Sequence, residues 1–288
     1  MITIFTPAYN RENYLTRIYE SLLKQSDKDF EWIIVDDGSQ DGSSRLVKRF
    51  INEDKITIKY IYRLNGGKHR AINVGAKVAK GEWFFFLDSD DWIKEDAIFQ
   101  IKANIKEIQD RKEEQHFYAI IGLCEDTNGR MIGTTFEGNV LEIDYFESVL
   151  KRGILGDKAW TVRTDLLKIY PFPEFENEKF LTEAVWFNQM ASKGYKCRFY
   201  NIPIKKVEYL SDGLSVKYYT LMAQNWQGTL KYYNDYFKYM IENGYNVMGL
   251  FKSYLMIAKM AEKSKEQIIE GIDQKVYALY DAEINTLL

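Results

Sequence analysis

The sequence predicts an α/β fold in which helices flank a mainly parallel β-sheet, followed by a helical C-terminal extension. Short apolar runs alternate with segments of helical periodicity over roughly the first hundred residues, and continuous apolar runs are typical of parallel strands buried on both faces. The runs at residues 2–5, 32–35 and 83–87 each end at a polar cluster. Ligands of open α/β sheets bind at the carboxyl ends of the strands, so we expect the three clusters to line one crevice.

The other elements of the first half follow from local periodicity. Apolar residues spaced by three and four predict helices that begin near Tyr14, Leu46, Ala71 and Ile98. Alternating side chains at residues 56–60 predict a further strand between the second and third helices. The resulting order of strands and helices is typical of βαβ units, which build parallel sheets.

The second part of the chain has a more varied pattern. Residues 119–124 and 131–136 flank a turn at Asn128-Gly129 and predict a hairpin. Beyond Gly213 the periodicity predicts helices to the end of the chain. Between these regions we expect a helix at 145–150, a strand at 160–163, a helix from about 182 to 192, and strands at 195–200 and 205–209.

Composition and charge exclude several classes of protein. The 288 residues are 46% apolar and 28% charged, which is a globular composition, and the net charge of −3 argues against nucleic-acid binding. Cys124 and Cys197 lie outside any CxxC motif, so neither a zinc site nor a redox site is expected. The start of the chain lacks the basic region of a signal peptide, and the apolar runs are too short to span a bilayer. We therefore expect a cytoplasmic protein.

Three aspartates in four residues, Asp88-Ser89-Asp90-Asp91, follow the apolar run at 83–87. Their like charges repel, and a Mg²⁺ or Mn²⁺ ion bound by carboxylate oxygens would relieve this repulsion. The alternative is a solvated turn whose aspartates cap the next helix. The glycine-rich, basic loop at 65–70 is no Walker A motif, but it could bring Lys68 to a phosphate. No GxGxxG motif follows the first strand, which argues against a dinucleotide-binding dehydrogenase.

Taken together, these clusters resemble those of glycosyltransferase family 2, whose members are inverting enzymes with the GT-A fold. The order and spacing of the motifs agree over roughly residues 2–96, and weaker similarity continues to about residue 215. Residues 66–69, 156–158 and 209–215 resemble a bacterial subgroup associated with surface polysaccharide synthesis. The matching motifs are Thr6-Pro7-Ala8-Tyr9-Asn10, Val35-Asp36-Asp37-Gly38-Ser39, residues 67–73 with Gly75, Gly81-Glu82, and Leu87-Asp88-Ser89-Asp90-Asp91.

The resemblance implies roles for the residues of a donor site. Pro7 and Tyr9 would frame the nucleobase, and Asp37 would form a hydrogen bond to uracil. Asp88 and Asp90 would serve the ribose and the Mn²⁺ or Mg²⁺ ion on the diphosphate. The full set of implied donor-site residues is Thr6, Pro7, Tyr9, Asp37, Lys68, Asn73, Asp88, Ser89 and Asp90, with Asp91 as an extra contact.

The resemblance also implies a catalytic base. Family members usually carry a Glu-Asp pair at the start of a later helix, and the second carboxylate is the general base. The matching pair here is Thr182-Glu183, so Glu183 is the expected base, with glutamate in place of the usual aspartate. Asp157, Lys158 and Trp160 are candidate contacts on the acceptor side, with a buried ion pair and a core tryptophan as the alternative.

The expected protein is an inverting glycosyltransferase that moves a hexose or N-acetylhexosamine from a UDP-sugar to a saccharide, free or lipid-linked, in surface polysaccharide synthesis. Residues 1–215 would form the catalytic domain, with a nucleotide-binding half at 1–96 and an acceptor-side half at 97–215. Residues 216–288 would form helices that pack on this domain, with self-association or peripheral contact with the inner face of the cell membrane as the alternative. Two other functions stay open: a non-catalytic GT-A-like binding module and a sugar-nucleotide nucleotidyltransferase.

Overall fold

The computed structural model describes residues 1–210 and 213–279, and the chain forms two compact units. The larger unit comprises residues 1–172 and 193–210, and the helical unit comprises residues 173–192 and those from 213 onward. The elements of the larger unit are β1 (Ile2–Ala8), α1 (Glu12–Leu23), β2 (Phe30–Asp36), α2 (Ser43–Glu53), β3 (Ile58–Tyr62), α3 (Lys68–Val78), β4 (Trp83–Phe86), β5 (Trp92–Ile93), α4 (Ala97–Asp110), β6 (Phe117–Glu125), β7 (Met131–Ile132), β8 (Val140–Ile143), α5 (Tyr145–Leu150), β9 (Lys158–Arg163), α6 (Thr164–Ile169) and β10 (Lys196–Lys206).

The strands described in the larger unit form one ten-stranded sheet in the order β3-β2-β1-β4-β9-β6-β10-β5, with β7 paired to β6 and β8 paired to β10. The strands β3, β2, β1 and β4 run parallel, and Ala8 at the end of β1 lies beside Asp36 at the end of β2. In contrast, β9 is antiparallel to both β4 and β6. The carboxyl ends of β1, β2 and β4 therefore meet at one edge, as the sequence predicts.

Apolar side chains cover both faces of the parallel part of the sheet. Every residue of β2 is buried, which explains why this strand reads as a continuous apolar run. Ile4, Trp32 and Phe85 pack together in the core of one face. On the other face, α3 approaches β1 so closely that a Cβ atom on Gly75 would lie 2.5 Å from the Phe5 ring. This close approach requires glycine at position 75.

Some elements of the second half differ from their predicted form. The two strands predicted at 195–200 and 205–209 are one strand, β10, and a register shift between Phe199 and Pro203 accommodates the proline that interrupts the pattern. The second arm of the predicted hairpin is only the two-residue β7. The sequence analysis does not predict β5, β8 or α6, which have two, four and six residues.

Aromatic side chains fill the core of the helical unit. The rings of Trp226 and Tyr254 stack with their centroids 5.7 Å apart, and Phe237 lies edge-on to Tyr254. The helices expected beyond residue 213 are present, and residues 211–212 and 280–288 lie outside the described part of the chain. The elements of this unit are α7 (Ala184–Ser192), α8 (Tyr218–Gln224), α9 (Trp226–Glu242), α10 (Met248–Met260) and α11 (Lys265–Gly271).

The compact units do not follow the predicted division at residue 215. Residues 173–192, which the sequence assigns to the first domain, group with the C-terminal helices. The functional division at residue 215 stays a prediction. Over residues 1–210 and 213–279, no helix combines the length and the apolar character that a membrane span requires.

Candidate functional site

The three polar clusters at the carboxyl edge of the sheet contact one another. The Asn10 backbone N–H donates to Ser39 Oγ at 2.9 Å, which joins the loops after β1 and β2. Arg11 Nε donates to Ser89 Oγ at 3.2 Å, which joins the loop after β1 to the turn after β4. The structure therefore brings the predicted donor-site segments together at one place in the larger unit.

Asp37 follows β2 and holds the glycine-rich loop at residues 65–67. One carboxylate oxygen accepts hydrogen bonds from the Arg63 guanidinium and from the Gly66 N–H, the latter at 3.0 Å. The other oxygen accepts from the Gly67 N–H at 2.7 Å and from the Asn65 side chain at 3.2 Å. Because both oxygens already accept hydrogen bonds within the chain, the implied uracil contact would have to share one of them. That role of Asp37 stays a prediction.

Two glycines allow the loop after β2 and the loop at residues 65–67 to pack closely and to lead into α3. Gly38 has a φ of +89°, and a Cβ atom there would lie 2.8 Å from Asn65 N. Gly67 has a φ of +98° and directly precedes α3, so Lys68 is the first residue of that helix. The Lys68 ammonium lies beside the turn that follows β4, with Nζ 2.6 Å from Asp88 Oδ1. The loop thus delivers a cation to the aspartate cluster.

The turn after β4 gathers three carboxylates and their counterions. Asp88 faces Lys68, and Asp91 Oδ2 lies 2.7 Å from Nζ of Lys205 on β10. The side chains of Asp91 and Lys205 are 4% and 7% exposed. Asp91 thus forms an internal ion pair, and its role as an extra donor contact stays a prediction. Asp90 is half-buried, so this is not a freely solvated turn.

Burial and charge set the ionisation of the three aspartates differently. Burial opposes ionisation of Asp88, but the charges of Lys68 and Lys205 outweigh it and lower the pKa of this carboxyl. Burial raises the pKa of Asp90, and repulsion from the Asp88 carboxylate raises it further. Burial also raises the pKa of Asp91 to about 6, against the opposing charge of Lys205. A divalent cation at Asp88 and Asp90 would relieve the repulsion between them.

The oxygen atoms at this turn suit a hard divalent cation. Within the described part of the chain, no three histidine, cysteine, aspartate or glutamate side chains are arranged to hold a metal ion. Mg²⁺, however, is commonly bound by one or two carboxylates, with water and substrate phosphates as its other ligands. Asp88 and Asp90 therefore fit an ion that binds together with a diphosphate.

Two residues implied at the donor site form hydrogen bonds within the protein. Thr6 is fully buried in β1, and its Oγ1 accepts a hydrogen bond from Trp32 Nε1 at 2.9 Å. Asn73 is buried in α3, and its amide donates to the Phe172 carbonyl and accepts from the Phe172 N–H, both at 2.9 Å. These side chains hold the protein's own strand and loop, and their roles at the donor site stay predictions. Tyr9 is 47% exposed and stays a candidate for the nucleobase contact.

Lys158, a candidate acceptor contact, is buried and binds the loop that precedes β9. Its Nζ donates to the Leu155 carbonyl at 2.7 Å and to the Gly156 carbonyl at 3.4 Å, and burial lowers its pKa. Its ammonium therefore fixes this loop, and its role as an acceptor contact stays a prediction. The neighbouring Asp157 accepts a hydrogen bond from the Tyr209 hydroxyl at 2.6 Å. This contact gives the Asp157 carboxylate a defined position.

The two remaining predicted site residues lie in different units. Trp160 is half-buried in β9, and its ring centroid lies 5.9 Å from that of Tyr145 and 6.5 Å from that of Phe199. These ring contacts favour the core tryptophan that the sequence left as an alternative. Glu183 is half-buried in the helical unit directly before α7, and its carbonyl accepts the Trp186 N–H at 2.9 Å. It lies at the start of a helix, as expected, and its catalytic role stays a prediction.

Sequence patterns do not reveal three cations that the structure places against the site. Arg63 pairs with the carboxylate of Asp37, Lys205 pairs with that of Asp91, and Arg17 donates to a carbonyl in the turn after β4. Each cation lies on a different element from its partner, so neither spacing nor periodicity connects them. A lysine inside a mostly buried strand, such as Lys205 in β10, is the available signal, because buried lysines are almost always paired.

Residues 3–111 match a family model described as Glycosyl transferase family 2. Glycosyltransferase GlyA of Streptococcus pneumoniae serotype 4 is 39% identical over 108 residues, which is 38% of this chain and 15% of GlyA. The poly(ribitol-phosphate) beta-N-acetylglucosaminyltransferase TarS of Staphylococcus aureus strain MW2 is 26% identical over 276 residues, which is 93% of this chain and 42% of TarS. The chain thus spans less than half the length of either relative.

Solved structures share the fold at low sequence identity. The crystal structure of S. aureus TarS 1–349 in complex with UDP-GlcNAc matches with a TM-score of 0.66 at 22% identity, and the match covers 96% of this chain and 83% of that one. The mannosyltransferase PcManGT from Pyrobaculum calidifontis, in complex with GDP-Man and Mn²⁺, matches with a TM-score of 0.57 at 16% identity, covering 98% of this chain and 75% of that one. The chain has the GT-A fold that the sequence predicts.

Asp91→Asn should destabilise the protein by about 3–5 kcal/mol, because it leaves the buried Lys205 ammonium without its carboxylate partner. Unfolding in urea, followed by circular dichroism, measures this loss. The double substitution Asp91→Asn with Lys205→Met removes both charges and should recover most of the stability.

Asp165→Asn is the matched control, since it breaks a more exposed ion pair with Arg163 and should cost less than about 1 kcal/mol. If Asp91→Asn and Asp165→Asn lower the free energy of unfolding equally, the buried ion pair contributes no more to stability than the exposed one.

Proposed function

Since residues 3–111 are a glycosyltransferase family 2 domain, we propose that the protein transfers a sugar from a UDP-sugar to a saccharide acceptor in surface polysaccharide synthesis. The observation that carries this proposal is the meeting of three features at one edge of the sheet. They are the exposed Tyr9, the Lys68 ammonium at the start of α3, and the turn with Asp88 and Asp90. An aromatic ring, a cation and two carboxylates suit a nucleobase, a diphosphate and its metal ion.

In the proposed donor complex, the nucleobase stacks against Tyr9 beside the half-buried Pro7. The diphosphate lies at the N-terminus of α3, where backbone N–H groups and the Lys68 ammonium favour negative charge. TarS, whose match covers 93% of this chain and 42% of TarS, is a beta-N-acetylglucosaminyltransferase. A crystal structure of TarS 1–349 contains UDP-GlcNAc. We therefore favour an N-acetylhexosamine over a hexose as the transferred sugar.

Asp88 and Asp90 would hold a Mn²⁺ or Mg²⁺ ion together with oxygens of the diphosphate. When bound, such an ion stabilises the negative charge of the departing UDP. The repulsion between the two carboxylates, which contributes to the raised pKa of Asp90, supports this assignment. A protein of similar fold, PcManGT, was solved with GDP-Man and Mn²⁺.

The proposed reaction is a single displacement at the anomeric carbon, as the family resemblance implies. The acceptor hydroxyl oxygen forms a bond to this carbon while the bond from the carbon to the terminal phosphate oxygen of UDP breaks. The hydroxyl proton passes to the carboxylate of Glu183, the proposed general base. UDP leaves with its charge balanced by cations, so no second carboxylate has to protonate it, in contrast to a glycosidase.

The acceptor is proposed to be a saccharide, free or lipid-linked, with Asp157 and Tyr209 as its contacts. We propose that the protein works in the cytoplasm or at the inner face of the cell membrane. Residues 216–288 would be the part that self-associates or contacts the membrane, with packing on the catalytic domain alone as the alternative. The intact Asp37, Asp90 and Glu183 argue against a non-catalytic module. A nucleotidyltransferase would need a glycine-rich, basic loop after β1, and residues 6–10 differ from such a loop.

A panel of nucleotide sugars, each assayed with and without Mn²⁺, tests the proposed activity. We expect UDP release that depends on a UDP-N-acetylhexosamine, on the metal ion and on a saccharide acceptor. Tight UDP-sugar binding without UDP release would favour the non-catalytic module. Pyrophosphate release from UTP and a sugar 1-phosphate would favour the nucleotidyltransferase.

Asp90→Asn should remove the gain in UDP affinity that Mn²⁺ provides and leave the fold intact, because Asp90 lies in a turn between strands. Isothermal titration calorimetry with Mn²⁺ and with EDTA gives the two dissociation constants, and their ratio should fall to about 1 in the variant. Asp110→Asn, at the exposed end of α4, is the control and should keep the wild-type ratio. A wild-type ratio in Asp90→Asn would exclude Asp90 as a metal ligand.

Glu183→Gln should lower turnover by roughly 10²–10⁴-fold, the usual contribution of a positioned general base. It should keep the UDP-sugar affinity and the melting temperature, because the proposed contact is with the acceptor. Glu176→Gln, an exposed site in the same unit, is the control and should leave turnover unchanged. Near-normal turnover in Glu183→Gln would transfer the base role to another carboxylate, with Asp157 tested next. Loss of UDP binding with a preserved fold would place Glu183 on the donor side.

A further inference from the structure

Arg17, in α1, forms a hydrogen bond to the turn that follows β4. Its Nη2 donates to the Asp90 backbone carbonyl at 2.5 Å, and its Nη1 lies 2.5 Å from Glu208 Oε2. The guanidinium carbon also lies 3.9 Å from the centre of a ring of Trp92, which is a close cation–π contact. One side chain therefore joins α1, the aspartate turn and the segment that follows β10.

The aspartate turn needs such a restraint because the charges of its carboxylates favour opening of the turn. Asp88 and Asp90 repel each other, and Asp91 is drawn to Lys205 on β10. Arg17 binds the main chain of Asp90 and leaves its carboxylate oxygens for other ligands. An arginine bound to the Asp90 carboxylate would compete with a metal ion for its oxygens. An arginine bound to the Asp90 carbonyl restrains the residue without this competition.

We infer that Arg17 is a positioning residue for the aspartate turn, acting on the metal-binding carboxylates through the backbone of Asp90. The effect on metal binding rests on the proposed function, whereas the effect on the turn does not. The same guanidinium also holds Glu208, and the next residue, Tyr209, donates to Asp157. The donor-side turn and the candidate acceptor contacts therefore belong to one continuous series of interactions.

The geometry requires arginine and not merely a positive charge. The two terminal nitrogens of a guanidinium point to different partners, while its flat face packs on an aromatic ring. A lysine ammonium is a compact point charge with no flat face, so it cannot reproduce these three contacts together. Arg17→Lys therefore tests geometry while conserving charge.

Hydrogen–deuterium exchange of the full chain tests the positioning role without any ligand. The Asp91 N–H donates to the Asp88 carbonyl at 3.1 Å, so its exchange reports on closure of the turn. Arg17→Lys should raise exchange in peptides covering residues 87–93 and 206–210. Arg45→Lys, in which the replaced side chain is 85% exposed on α2, is the matched control and should match the wild type. Wild-type exchange in both peptides of Arg17→Lys would overturn the inference.

Calorimetry tests the consequence for the metal site. In Arg17→Lys, the gain in UDP affinity from Mn²⁺ should fall by about tenfold, which is typical for loss of a residue that orients a metal ligand. The affinity in EDTA should not change, since Arg17 has no proposed contact with UDP. Glu208→Gln keeps the contacts of Arg17 with Asp90 and Trp92, so its loss should be smaller. A full Mn²⁺ gain in Arg17→Lys would overturn the effect on metal binding.

A second variant keeps the test decisive where Arg17→Lys folds poorly. Trp92→Leu removes the stacking surface alone, and it should raise exchange in residues 87–93 in the same direction. Unchanged exchange in a folded Trp92→Leu protein would count against the inference. Wild-type protein that binds no UDP under any condition would contradict the proposed function instead, and the exchange data would still decide the role of Arg17.

Discussion

Three aspartates crowded at the end of one buried strand set the main electrostatic constraint on this protein. Carboxylates that lie close together and partly out of water need positive charge nearby. The fold supplies it from separate elements, with Lys68 at the start of α3 and Lys205 on β10. The carboxyl edge of the sheet is thus assembled so that cations from distant parts of the chain reach one turn.

The counterion on β10 ties the two halves of the larger unit together. β10 runs parallel to β6 and antiparallel to the two-residue β5, where Lys205 lies beside Ile93. This pairing holds Lys205 next to the turn after β4, within reach of the Asp91 carboxylate. The halves that the sequence separates at residue 96 share a buried ion pair. Without the other half, each half would therefore keep a buried charge that has lost its partner.

The sequence predicts those parts of the fold and site that depend on local patterns. β1, β2 and β4 are almost entirely buried, so they read as apolar runs, and the polar clusters after them mark the ligand edge. β10 is misread because Pro203 interrupts its pattern. Motif matching predicts donor-site roles for Thr6 and Asn73 by position, but it does not reveal that both side chains are buried and form hydrogen bonds within the protein. The pairing of Asp91 with Lys205 depends on strand order, which no local pattern encodes.

Lys68 and Asp88 neutralise each other across 2.6 Å, and this pair bears on how the proposed donor would bind. A diphosphate brings negative charge to the turn, and its metal ion brings positive charge. In the proposed donor complex, Lys68 would transfer to a phosphate oxygen and Asp88 to the ion, so that the charge at the turn would stay balanced. The Lys68 and Asp88 side chains are 23% and 37% exposed, so solvent would also help to balance both charges during this exchange. Under the proposed function, the lysine beside the aspartates would not compete with the metal ion, because it would balance the charge of the turn until the diphosphate and the ion bind.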